Sequence, residues 1–133
     1  MLDASVTLAW FYDDERDAAT DAVLARLGTE RAVAPGIWPL EVANALLVGE
    51  RRGRCSAAEV ARFLTRLESL PIEVDAHTSL HASRGVLALA RAHGLTSYDA
   101  AYLELAARRT SAIATRDAPL RTAAKALGVP LLI

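Results

Sequence analysis

The chain has 133 residues, and its 15 basic and 16 acidic side chains leave a formal net charge of -1. So close a balance excludes nucleic-acid binding by bulk charge alone and leaves only a local basic patch for that purpose. The length suffices for one domain with a real core, here residues 1–133, and is short for two.

Cys55 is the single cysteine, so no internal disulfide can form and a reducing cytoplasm is the expected setting. No apolar run approaches the ~18 residues of a spanning helix, and a soluble protein is expected. Lys125 is the only lysine, so nearly all positive charge is guanidinium, suited to bidentate contacts with carboxylate or phosphate.

In chain order, short β-like runs alternate with amphipathic stretches. The runs fall at 1–4, 32–34, 72–74, 112–114 and 130–133. After the first comes "DERDAATDAVLARLG", a helical pattern with Gly28 as its stop. "WPLEVANALLVGERRGR" opens a helix with Pro39 near its first position, where a missing N–H costs nothing. "SAAEVARFLTRLESL" begins with the Ser56/Glu59 spacing of a capping box. "HTSLHASRGVLALARAHG", "SYDAAYLELAARR" (Ser97 as its cap) and "DAPLRTAAKALG" give three further helices, with Thr115 as cap of the last. Strands separated by helices imply right-handed crossovers and a mostly parallel sheet covered on both faces. In such sheets ligands bind beyond the carboxyl ends of the strands.

Four carboxylates answer to that position: Asp3, Glu41, Asp99 and Asp117. Acids in a first helical turn also gain about 0.3–1 kcal/mol from the helix dipole, which accounts for Glu41, Asp99 and Asp117 taken singly. Asp3 resists that explanation because it closes a strand. Gathered at one end of one sheet, the four would repel one another unless a cation neutralised them. A hard divalent ion with oxygen ligands, Mg²⁺ or Mn²⁺, suits such a set, and such an ion supports phosphoryl chemistry. No phosphate-binding glycine loop and no nucleophile elbow competes. A phosphoaspartyl phosphatase would need a second aspartate where Ser5 stands. A phosphotransfer receiver could draw on Asp75 and Lys125, but Lys125 lies inside the last helix and Glu41 would have no role.

"LDASVTLAWFYDDE", "PLEVANAL", "LTSYDAAYLELA" and "IATRDAPLRTAAKALGVPLL" resemble, in order and spacing, the four acidic motifs of the PIN-domain nucleases, and most closely the VapC-type toxins of bacterial toxin–antitoxin pairs. The resemblance spans essentially the whole chain. It implies a three-layer α/β fold whose five-stranded parallel sheet, order 3-2-1-4-5, is flanked by helices, with Asp3 and Asp117 beside the crevice. It implies an endoribonuclease using Mg²⁺ or Mn²⁺ on single-stranded or loop RNA such as tRNA or rRNA. By motif match Asp3 and Asp99 would be the principal ligands, Glu41 and Asp117 would complete the cluster, and Ser5, Asn44 and Thr115 would support it. Such proteins are usually homodimers, neutralised by a VapB-type antitoxin that can insert an arginine into the acidic pocket. Relatives usually carry a few more residues before the first aspartate; here only Met1 and Leu2 precede it, so either a clipped first strand or an unusual start is expected. A PIN scaffold without catalysis is the alternative.

Arg51, Arg52 and Arg54 form the densest basic run, readable as a solvated helix end or as a contact for RNA or antitoxin, and Arg116 is a second such position. His77 and His81 have a helical metal-pair spacing but no third ligand, so surface imidazoles are expected. Trp10, Phe11 and Trp38 read as core or dimer-interface residues, and Glu104 with Arg108 reads as a surface ion pair.

Overall fold

Two strands pair in the computed structural model, which describes residues 1–133. Strands β1 (Ala32–Pro35) and β2 (Ile72–Asp75) run parallel, with Ala32 opposite Ile72 and Pro35 opposite Asp75. Beside β1, the Leu2 amide donates to the Val33 carbonyl at 2.9 Å. Leu2 forms an isolated parallel bridge with Ala114, and Ile113 forms another with Leu131. The five-stranded sheet expected from sequence is therefore met only in part, as two regular strands and two bridges. The cause is local at the first run: helix α1 (Ala4–Ala9) begins directly after Asp3, so three residues remain to pair. They are nevertheless held, because Asp3 N–H donates to Ala114 O at 3.1 Å and Ala114 N–H to Met1 O at 2.9 Å.

The remainder is mostly helical. Helix α2 (Ala18–Arg26) starts at a capping box formed by Asp17 and Thr20, and it ends before Gly28, which has no positive φ. Helix α3 (Trp38–Arg51) carries Pro39 in its first turn, and α4 (Ala57–Glu68) opens on the Ser56/Glu59 capping box. Ser56→Ala should cost about 1 kcal/mol, read as a lower urea midpoint at unchanged slope.

The stretch expected as one long helix is broken into α5 (Thr78–His81), a π-helical turn at Ala82–Val86 and α6 (Leu87–His93). Gly85 lies in that turn, against Glu104; a Cβ there would meet the Glu104 Cγ at 3.2 Å. The bare glycine backbone thus lets the widened turn lie on the next helix. That helix, α7 (Ser97–Arg108), is buried on every side from Ala100 to Ala106. Helix α8 (Ala118–Ala126) follows. The core joins Leu2, Val6, Ala34, Val42, Leu46, Tyr102, Leu103, Ile113 and Leu120. Trp38 belongs to it, whereas Trp10 and Phe11 are only partly covered. No helix is long and apolar enough to cross a membrane.

Three local expectations are corrected here. Thr96, not Ser97, caps α7, and Asp117, not Thr115, caps α8. Glu104 and Arg108 do pair, at 3.0 Å, but Glu104 is buried and the pair belongs to a larger interior cluster. Arg108 also meets the fully covered Asp75 at 2.9 Å, Arg109 reaches Asp75 at 3.3 Å, and His81 lies 3.3 Å from Glu104. Asp75, which with Lys125 invited a receiver reading, is thus a buried ion-pair partner.

Candidate functional site

Asp3 stands where the first segment turns into α1. It is buried, and its Oδ2 accepts from the Ser5 hydroxyl at 2.5 Å and from the Thr115 hydroxyl at 2.6 Å. Those hydroxyls are themselves fixed: Ser5 Oγ accepts from the Arg116 amide at 3.0 Å, and Thr115 Oγ1 from the Asp117 amide at 3.0 Å. Burial pushes the Asp3 carboxyl above its ordinary range, and the hydroxyl and amide donors only partly offset it.

Glu41 projects from the first turn of α3 and is half-buried. Its Oε2 accepts from the Tyr102 hydroxyl at 2.5 Å. Burial raises its pKa, the Tyr102 hydrogen bond lowers it, and the charges of Asp3 and Asp99 raise it further. Asp3, just before α1, and Asp99 on α7 therefore both lie within electrostatic reach of Glu41 on α3.

Asp99 sits in the first turn of α7, where Thr96 Oγ1 donates to its Oδ2 at 2.6 Å and accepts from its amide at 3.1 Å. Asp117 caps α8 by accepting the Leu120 amide at 2.7 Å. Asp117 is tied to Asp3 through its backbone amide alone, which donates to the Thr115 hydroxyl that in turn donates to Asp3, while its carboxylate caps α8. None of the four is within ion-pair distance of an arginine, lysine or histidine, although eight other acids of the chain are. Asn44 is exposed on α3 and holds no side-chain hydrogen bond.

A hard cation suits these donors, which are carboxylates flanked by hydroxyls with no sulfur or imidazole among them. No three acidic, histidine or cysteine side chains are gathered tightly enough to cage an ion. Mg²⁺ commonly binds through one or two carboxylates and keeps several waters, so the set fits a cation held in that open manner.

The PIN domain family model matches residues 1–126. The chain belongs to the PIN domain family. This PIN domain is also similar to Ribonuclease VapC3 of Pyrobaculum aerophilum, at 28% identity over 130 residues, 98% of each chain.

The basic positions divide. In this PIN domain Arg51 and Arg52 face solvent at the end of α3 with no acidic partner. Arg54 is engaged, bonding Asp14 at 3.0 Å and Glu15 at 3.2 Å with its guanidinium 4.0 Å over the Tyr12 ring. Arg116 donates to the Glu15 carbonyl at 2.5 Å. A cleft of about 550 Å³ lies apart from these four acids and is lined by Trp10, Phe11, Phe63, Arg54, Arg62 and Arg66 among others. Sequence reasoning passed over Tyr102. Its one signal was position: three residues after Asp99, it shares that residue's helical face.

Proposed function

We propose that this PIN domain, one unit over residues 1–133, is a VapC-like endoribonuclease toxin that hydrolyses phosphodiester bonds in single-stranded or loop RNA, such as tRNA or rRNA, with Mg²⁺ or Mn²⁺. The observation that carries the reading is that Asp3, fixed by Ser5 and Thr115, and Glu41, held by Tyr102, have no ion-pair partner, while Asp3 and Asp99 both bear on the Glu41 charge. The family match and the similarity to a ribonuclease support it. A bound divalent ion would supply charge neutralisation, polarisation of a phosphate oxygen and a more acidic water.

The chain's own residues do the rest. Ser5 and Thr115 hold Asp3 by one oxygen, leaving Oδ1 free of side-chain donors. Glu41 similarly offers Oε1, and Asp99 is held through Oδ2 by its own cap. Asp117 would complete the cluster with its remaining oxygen. Asn44 is read as a supporting polar group at its rim. Arg51 and Arg52 are positioned to take RNA phosphates, and Arg116 lies next to the scissile region by sequence.

The five-stranded order 3-2-1-4-5 is the sheet we read beneath this site. Hydrogen bonds running Val33–Leu2, Asp3–Ala114 and Ile113–Pro130 support it. A VapB-type antitoxin is the expected partner, and the cleft edged by Arg54 offers it aromatic surface. We also infer a homodimer acting in the cytoplasm.

Cleavage should stop with EDTA and return with Mn²⁺, leaving 5′-phosphate and 3′-hydroxyl ends. Persistence of cutting in EDTA, or cyclic phosphate ends, would refute the metal mechanism. Mn²⁺ at a hundred times its Kd should stabilise the fold by about 2.7 kcal/mol. That rise in Tm should vanish in Asp99→Asn. A protein with no acid-dependent Mn²⁺ binding would instead be an inactive PIN scaffold.

A further inference from the structure

Tyr102 is among the most completely buried large side chains, and its ring belongs to the main core. Packing alone would be served equally well by phenylalanine. The hydroxyl, however, must find a partner in that interior. The partner is the Glu41 carboxylate, 61 residues away on α3.

The place of that hydroxyl is specific. Tyr102 leaves α7 on the Asp99 face, one turn further along. Its oxygen bonds Glu41 on α3, while Tyr102 shares α7 with Asp99. One hydroxyl thus links two segments, each carrying an acid. Glu41 has no other side-chain hydrogen bond. Without it, a half-exposed glutamate would sample many rotamers.

We propose that Tyr102 is a positioning residue whose hydroxyl fixes the Glu41 carboxylate by one oxygen and so leaves the other to a divalent cation that this site would hold. The inference rests on the metal-dependent reading above. Partners that orient ligands in this way typically govern metal affinity by about 10–100-fold.

The test is Mn²⁺ titration of the full chain by calorimetry and electron paramagnetic resonance. Tyr102→Phe should weaken Mn²⁺ binding by about tenfold or more, with the far-ultraviolet circular dichroism unchanged. Because the effect runs through Glu41, adding Tyr102→Phe to Glu41→Gln should change affinity by less than about twofold. A purely structural role would instead give the same loss in both backgrounds, and that result overturns the proposal. Wild-type affinity in Tyr102→Phe overturns it too, while leaving the metal reading intact. Failure of the unaltered protein to bind Mn²⁺ overturns both. If Tyr102→Phe does not fold, the unaltered protein still decides. Nuclear Overhauser contacts from the Tyr102 ring to the Glu41 methylenes are expected, and their absence refutes the proposal.

Discussion

Asp3→Asn is expected to reduce RNA cleavage by at least about 100-fold and, at the same time, to raise Tm. The first effect follows from the proposed role. Loss of a partner that merely orients a ligand already costs about 10–100-fold, so loss of a ligand's charge should cost no less. The second follows from the geometry. Burial holds the Asp3 carboxyl above its ordinary pKa, so the ionised form is disfavoured in the folded chain. For such a group the stabilising contribution is present below the unfolded pKa and lost as pH rises through the folded one. At neutral pH the charge therefore works against the fold, and asparagine removes it while its amide oxygen can still accept from Ser5 and Thr115. Thermal unfolding at pH 7 beside an RNA cleavage assay reads both. A variant that loses activity and also melts earlier would show that Asp3 acts chiefly as a structural residue. The opposite movement of stability and activity is what a site assembled at the expense of the fold should give.

The second large effect lies away from the acids. Arg108→Met should destabilise the protein by about 3–5 kcal/mol, because it removes the guanidinium shared by two buried carboxylates, Asp75 and Glu104. Methionine keeps much of the side-chain length, so the loss reflects charge more than volume. Burial acts to raise the Asp75 pKa, but Arg108, Thr78 and Arg109 outweigh it and hold the carboxyl at about 2 against an ordinary 3.8. That depression corresponds to roughly 2 kcal/mol. Its contribution is fully present above pH 3.8 and is lost as pH falls through about 2. Urea titrations across pH 7 to pH 2 should therefore show the deficit of Arg108→Met shrinking as the solution is acidified. A deficit independent of pH would point to lost packing instead.

The legibility of the sequence followed from the range of the interactions. Asp3 stood out as the close of a short apolar run and Glu41, Asp99 and Asp117 as acids in first helical turns, all local features, and the Ser56/Glu59 box because a cap is decided within four residues. Ser97 and Thr115 were misplaced as caps by one or two positions, because neighbouring hydroxyls and carboxylates compete for the same amides. The Glu104–Arg108 pair looked superficial for a different reason. Its helical spacing was visible, but the approach of Asp75 from β2 was not. Tyr102 was missed because a tyrosine at a core spacing gives no local sign of a carboxylate 61 residues away. The break at Ala82–Val86 was likewise hidden, since it depends on what Gly85 lies against rather than on the residues of its own segment.

The complete burial of α7 from Ala100 to Ala106 has a mechanical consequence. A helix enclosed on all sides cannot roll or slide without disrupting its neighbours, since close-packed interiors resist small displacements. Asp99 and Tyr102 ride on that axle, and Arg108 bolts its far end to β2. Whatever adjustment a ligand demands must therefore come from the partly exposed start of α3, where Glu41 stands. The site has one rigid jaw and one adjustable jaw.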